Sequence, residues 1–178
     1  MIKVEIVKCL KDNFSYIVHN NNEALVIDPS ESGPLIKSLE KLNLKLKYIL
    51  NTHHHFDHID GNLTLKEKYN CKIIGFIDDK KRIPGIDICL KNEEIFKEGD
   101  FQFKTYHTPG HTSGHICYHF FNDKILFTGD TLFSLSCGRL FEGTYEDMFR
   151  SLSLIKTFDK ETLISVSYTH LRAHETVA

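Results

Sequence analysis

The chain of 178 residues is 41% hydrophobic and 26% charged, and its 22 basic and 24 acidic residues give a formal net charge of −2. This composition is ordinary for a globular protein that buries a sizeable core. The charge offers no general attraction to nucleic acid or to an anionic membrane, and no apolar run is long enough to span a bilayer, so neither partner is expected.

The cysteines predict a reducing compartment. Five are scattered along the chain without a C-x-x-C pair: Cys9, Cys71, Cys89, Cys117 and Cys137. This arrangement is typical of free thiols rather than of a disulfide framework. The alternating residues 1–7 indicate a strand and not a signal peptide, so we expect a cytoplasmic protein.

Strands outnumber helices in the predicted structure. Alternating or short apolar runs predict strands over residues 2–10, 14–19, 24–27, 48–51, 71–75, 101–106, 116–121 and 124–127. Helical spacing predicts helices over 34–42, 62–69 and 145–158, with Asn62 as the N-cap of the second. The charged segment 78–92, with Pro84 and Gly85, predicts a surface loop. Because polar clusters follow strand ends, we expect an α+β or α/β layered sandwich with a site along one rim.

The densest polar cluster is THHHFDH, residues 52–58, between a predicted strand and a predicted helix. In an extended segment alternate side chains share a face, so His53, His55 and Asp57 are expected to point together and His54 away from them. His58 follows round the turn. Imidazole and carboxylate suit zinc and related metals. The alternatives are a solvated polar loop or a run like an expression tag, but a tag would be terminal and would lack the interleaved aspartate.

Two further candidate ligands follow predicted strands. His111 lies in PGHT and Asp130 lies in TGDT. Each alone is typical of an exposed turn residue, but both occupy the position after a strand that THHHFDH also occupies, so loops of one sheet would bring them together. We interpret the other histidines as structural or solvent-facing: His19, His107, His115 and His119.

The motifs HxHxDH, PGHT and GDT together resemble those of the metallo-β-lactamase superfamily. Within it, residues 9–14 (CLKDNF), 129–133 (GDTLF) and 137–144 (CGRLFEGT) are similar to glyoxalase II, the hydroxyacylglutathione hydrolases. The similarity runs from residue 1 to about residue 164. It implies a four-layered αβ/βα sandwich of the α+β class with a two-metal centre.

The resemblance also implies residue roles. His53, His55 and His111 would hold one metal, Asp57 and His58 the second, and Asp130 would bridge them. The ions would be zinc, with iron or manganese as alternatives. A metal-bound hydroxide would hydrolyse S-lactoylglutathione, with Asp57 orienting the water or taking its proton. Arg139 and Phe141 would contact the substrate.

The end of the chain departs from the family pattern. A further histidine ligand in an HEYT-like motif is expected at position 168, which is Tyr168, and residues 165–178 match no part of the pattern. We therefore predict a C-terminally truncated chain, with a hydrolase domain over 1–164 and a non-native tail over 165–178. The missing histidine predicts a weakened second metal site. The resemblance also implies a C-terminal helical region that helps to bind glutathione, and its absence predicts weakened glutathione recognition. The alternative is a variant in which His170 moves into the site; His174 lies six positions late.

Other activities remain open. A persulfide dioxygenase of the same fold would need one iron on His53, His111 and Asp130. Lactonases, β-lactamases and nucleases share the metal motifs, although the near-neutral charge disfavours a nuclease. The chain could also be an inactive remnant that binds metal.

Overall fold

A computed structural model describes residues 2–20, 22–166 and 170–172, with side chains described as far as residue 166. Two compact units divide the chain, Met1–Leu90 and Lys91–Ala178. Each carries one six-stranded sheet. No helix in the described part of the chain has the length and apolar character that a bilayer crossing requires.

The sheet of the first unit has its six strands in chain order: β1 (Lys3–Cys9), β2 (Asn13–His19), β3 (Glu23–Ile27), β4 (Lys45–Leu50), β5 (Lys72–Phe76) and β6 (Ile88–Leu90). The first three pair antiparallel, and the last four pair parallel. Parallel neighbours point their carboxyl ends to the same edge of the sheet. The segments after β3, β4 and β5 therefore begin at one edge.

The described residues of this unit form three α-helices: α1 (Ser32–Lys41), α2 (Phe56–Ile59) and α3 (Asn62–Tyr69). Leu35 and Leu39 place the apolar stripe of α1 in the core, and Leu65 does the same for α3. They pack with inward side chains of β2 to β5, such as Ile17 and Ile49, which are fully buried. This packing fixes the strand ends that carry the polar loops.

The sheet of the second unit also follows chain order: β7 (Ile95–Glu98), β8 (Phe101–His107), β9 (Ile116–Phe120), β10 (Ile125–Gly129), β11 (Leu163–Val166) and β12 (His170–Arg172). All neighbours are antiparallel except β10 and β11. Strands β8, β10 and β11 therefore share a direction and end at one edge. Helix α4 (Tyr145–Ile155) connects β10 to β11.

Each predicted strand and helix is confirmed to within a few residues, but four details are wrong. The predicted loop 78–92 contains β6 and the buried Ile83. Strands β7, β11 and β12 were missed, because short mixed segments carry little alternation. The cap of α3 is Gly61, since the Asn62 side chain bonds to Asn51 instead. The extended segment expected to carry His53, His55 and Asp57 on one face also does not reach Asp57, because α2 begins at Phe56.

Candidate metal centre

A buried carboxylate organises the histidine loop of the first unit. Asp28 follows β3 and accepts hydrogen bonds from the Thr52 amide (2.7 Å) and the Thr52 hydroxyl (2.7 Å). Its Oδ2 also lies 3.0 Å from Nδ1 of His58. Asp28 has φ +47°, a conformation that aspartate and asparagine tolerate better than most residues. Burial, together with the charge of Asp28, raises the pKa of Tyr16.

These bonds determine which ring nitrogen of two histidines carries a lone pair. The carboxylate of Asp28 only accepts, so His58 donates through Nδ1. The Thr52 hydroxyl gives its proton to Asp28, and its oxygen therefore accepts from Nδ1 of His53 at 3.0 Å. In the neutral rings Nε2 of both histidines is then the acceptor. A histidine that binds a metal through Nε2 needs this tautomer, and its Nδ1 is typically held by a hydrogen-bond acceptor, as Thr52 and Asp28 hold it here.

The other members of the cluster lie beside these nitrogens. Nδ1 of His55 is 3.1 Å from Nε2 of His53, and the rings of His53 and His58 are 4.2 Å apart. Asp57 receives a bond from the Asn13 side chain at 3.0 Å, and its Oδ2 lies 3.7 Å from Nε2 of His58. Nε2 of His58 and Oδ2 of Asp57 are both acceptors, and acceptors this close repel one another unless a cation lies among them. The donor set therefore fits a divalent metal ion.

His54 has a different partner from its neighbours. Its Nδ1 lies 3.2 Å from Oδ2 of Asp79, a fully buried carboxylate in the 3-10 turn Ile77–Asp79 after β5. The guanidinium of Arg82 donates to the other oxygen of Asp79. This contact ties the histidine loop to the turn after the next strand.

In the second unit, His111 and Asp130 lie next to each other. Nε2 of His111 is 3.4 Å from Oδ2 of Asp130. The carbonyl of Arg139 can only accept, so His111 donates to it through Nδ1 at 2.7 Å, and Nε2 of the neutral ring is again the acceptor. A lone pair and a carboxylate thus face each other, which also suits a cation.

The CGRLFEGT segment supports this pair by close backbone approach. The amide of Gly138 donates to the carbonyl of Asp130 at 2.9 Å. A Cβ on Gly138 would lie 2.1 Å from that oxygen and 2.8 Å from Nδ1 of His111. Only glycine fits there without moving both residues.

The predicted substrate residues lie on the same segment. The guanidinium carbon of Arg139 is 5.3 Å from the ring centroid of Phe141, and Phe141 is 58% exposed. Its amide donates to the carbonyl of His111 at 3.1 Å. The Phe141 ring is therefore held beside His111, with the Arg139 guanidinium over it, and the role of both residues in substrate binding stays a prediction.

The remaining histidines make structural contacts. His107 donates to the Ser113 carbonyl at 2.8 Å, and Nδ1 of His19 lies 2.6 Å from the Asn20 carbonyl. Burial lowers the pKa of His119 to about 4, with a smaller contribution from Lys104. His115 is fully buried against the segment that carries Asp130.

Two predicted positions lie outside the described residues, Tyr168 and His174. The backbone of His170 pairs with Ser165 in β12, and its side chain lies outside the described part. The role of His170 as a displaced ligand therefore stays a prediction.

The sequence predicted no role at the site for three residues that support it: Asp28, Asn13 and His115. Asp28 is followed by proline at a strand end, which is also typical of an ordinary turn. The one available indication was its position after a strand parallel to β4. Nothing local distinguishes Asn13 or His115 from other polar residues.

Comparison with known proteins agrees with these observations. The family model of the metallo-beta-lactamase superfamily matches residues 11–167. The hydroxyacylglutathione hydrolase of Pelagibacter ubique (strain HTCC1062) is 51% identical over 173 residues, which are 96% of this chain and 72% of that protein. The hydroxyacylglutathione hydrolase of Methylococcus capsulatus is 40% identical over 98% of this chain and 69% of that protein.

A solved structure agrees with the fold. The crystal structure of BLEG-1 B3 metallo-beta-lactamase matches with a TM-score of 0.90 and 25% identity, over 97% of this chain and 95% of that one. The predicted α+β fold is confirmed. Together with the histidine and aspartate cluster, these similarities support the binding of a divalent metal ion.

Proposed function

The chain belongs to the metallo-β-lactamase superfamily and, within it, to the hydroxyacylglutathione hydrolases, and from this membership we propose that it hydrolyses a hydroxyacylglutathione thioester such as S-lactoylglutathione. The observation that carries the proposal is the fixed tautomer of His53, His58 and His111. Each donates through Nδ1 to a protein acceptor, so the neutral ring offers Nε2 to a cation.

The proposed ligands are those expected from the sequence. His53, His55 and His111 would hold one ion, Asp57 and His58 the other, and Asp130 would contribute to both. Nitrogen and carboxylate ligands without thiolate favour zinc, and they also accept iron or manganese. Position 168 is tyrosine, so the second ion has one protein ligand fewer than the family pattern supplies.

Bound divalent ions supply Lewis acidity, which lowers the pKa of water and polarises the thioester carbonyl. Asp57 is held by the amide of Asn13 and is partly exposed, so it orients the water and accepts its proton. The water oxygen forms the bond to the carbonyl carbon, and the carbon–sulfur bond breaks. The leaving thiolate is stable enough, with a pKa of about 8.5, that no general acid is required.

Substrate contacts come from the CGRLFEGT segment. Arg139 offers a cationic fork for a carboxylate of the glutathione moiety, and the exposed ring of Phe141 offers apolar area beside His111. The boundary of the hydrolase domain at residue 164 and the cytoplasmic location stay predictions.

Metal analysis and a thioesterase assay on the same preparation test the proposal. We expect zinc and hydrolysis of S-lactoylglutathione, both lost in His55→Ala and Asp130→Ala while circular dichroism stays unchanged. His107→Ala is the matched control, since its ring bonds to the Ser113 carbonyl instead. Thioesterase activity that survives complete removal of metal would contradict the proposal. One iron with oxygen uptake would support the dioxygenase, and metal without either activity would support the inactive remnant.

A further inference from the structure

We propose that His115 is a positioning residue for Asp130, because its buried imidazole accepts the amide proton of Asp130 and so fixes where the carboxylate is presented to His111. This inference rests on the proposed function, in which Asp130 is a metal ligand. It gives a defined role to His115, which the sequence analysis interprets as structural or solvent-facing.

The location of His115 allows it to reach two loops at once. It immediately precedes β9, which lies between β8 and β10 in the second sheet. Its neighbours in space are Thr108, just after β8, and Asp130 and Thr131, just after β10. The side chain is fully buried, so protein groups and not bulk water satisfy it.

The bond to Asp130 determines the tautomer of His115. The backbone amide of Asp130 can only donate, and it lies 3.1 Å from Nε2 of His115. Nε2 must therefore carry the lone pair, and the proton of the neutral ring is on Nδ1. This is the same tautomer as in His111, but here Nε2 serves the protein backbone.

The Nδ1 side of the ring is held by two threonines. Nδ1 lies 3.0 Å from the hydroxyl of Thr108 and 3.1 Å from that of Thr131, and the two hydroxyls are 3.1 Å apart. The amide of Thr108 donates to the carbonyl of His115 at 2.9 Å. The loop that leads to His111 and the loop that contains Asp130 are thus joined through one ring.

The backbone of Asp130 is consequently held on both sides. His115 accepts from its amide, and its carbonyl accepts from Gly138. Gly138 precedes Arg139, whose carbonyl fixes His111. These contacts hold the backbone from which the Asp130 carboxylate reaches within 3.4 Å of His111 Nε2. Loss of such a partner of a ligand typically weakens metal affinity by about 10- to 100-fold.

Two substitutions separate positioning from simple packing. His115→Gln places an amide oxygen near the position of Nε2 and keeps an acceptor for Asp130. His115→Asn places an amide nitrogen near the position of Nδ1 and keeps the threonine contacts only. Both remove the ring, so a merely structural role predicts similar melting temperatures and similar metal affinities for the two variants.

We expect the zinc affinity of the intact chain, measured by competition with a chromogenic chelator, to fall about 10- to 100-fold in His115→Asn and less than about threefold in His115→Gln. Melting of the metal-free proteins reports the packing cost separately. Equal affinities in the two variants would overturn the inference. If His115→Asn is not recovered folded, His115→Gln decides alone, and a loss of about tenfold or more there overturns it.

Asp130→Asn, measured in parallel, separates the proposal that Asp130 is a metal ligand from the inference that His115 positions it. If it weakens zinc binding and His115→Asn does not, the inference about His115 is wrong and the proposed ligand set stands. If Asp130→Asn leaves zinc binding unchanged, the proposed ligand set is wrong, and the role of His115 in presenting that ligand fails with it.

Discussion

Replacing Asp28 by asparagine tests whether the Asp28 carboxylate determines the tautomers of His53 and His58. The substitution preserves shape, and asparagine tolerates the positive φ of this position, so the backbone is not perturbed. The carboxylate accepts three bonds, two from Thr52 and one from His58. The Thr52 amide bonds to Oδ1, whereas the Thr52 hydroxyl and His58 share Oδ2. A backbone N–H can only donate, so the asparagine oxygen faces the Thr52 amide, and the NH2 group takes the place of Oδ2.

The expected cost follows from those three bonds. Hydrogen bonds to a charged group contribute about 1.5–3 kcal/mol each, and the asparagine oxygen retains one of the three, while rotation of the Thr52 hydroxyl recovers part of a second. We expect the free energy of unfolding of the metal-free protein to fall by about 2 kcal/mol, or about 4–8 °C in melting temperature. The amide NH2 also favours His58 with its proton on Nε2, which removes the lone pair proposed to face the metal.

Metal affinity therefore distinguishes this prediction from general destabilisation. We expect Asp28→Asn to lose about 10- to 100-fold in zinc affinity by chelator competition. Asp87→Asn is the matched control, because this carboxylate receives the Ile73 amide and Lys66 and not the histidine loop. It should lower stability and leave zinc affinity unchanged. Wild-type zinc affinity in Asp28→Asn, or equal losses in both variants, would refute the argument.

Three further perturbations are predicted. Gly138→Ala should abolish turnover and weaken zinc binding, because its Cβ would lie 2.1 Å from the Asp130 carbonyl; unchanged kinetics would contradict the close approach. His119 has a pKa of about 4 against an ordinary 6.5, so the unfolded chain binds the proton more tightly and stability is lost as pH falls from 6.5 towards 4. Urea unfolding at several pH values measures the free energy of unfolding that is lost over this range. Allowing for the partial exposure of His119, we expect the loss to be about 2 kcal/mol smaller in His119→Phe than in the wild type. The same loss in both proteins would contradict this prediction. Thr144→Ala removes the Thr144–Asp147 capping box of α4 and should cost about 1 kcal/mol, measured by thermal melting, whereas Thr144→Ser should cost little.

Much of the fold could be predicted because alternation and helical spacing are local properties. Eight strands and three of the helices followed from them. β7 and β11 could not, since Ile95–Glu98 and Leu163–Val166 are short and mixed in character and become strands through pairing with β8 and β10. Likewise, asparagine is a typical helix cap, but the side chain of Asn62 bonds to Asn51, which directly follows β4 and is distant in sequence.

The sequence by itself determined which ligand types this protein carries and that they follow strand ends, because residue identity and short-range periodicity are written along the chain. The tertiary structure decided which nitrogen is available in His53, His58, His111 and His115. Asp28 is 30 residues from His58, Arg139 is 28 from His111, and His115 is 15 from Asp130. A tautomer depends on the partner across the ring, and only strand pairing and loop packing bring such distant partners together.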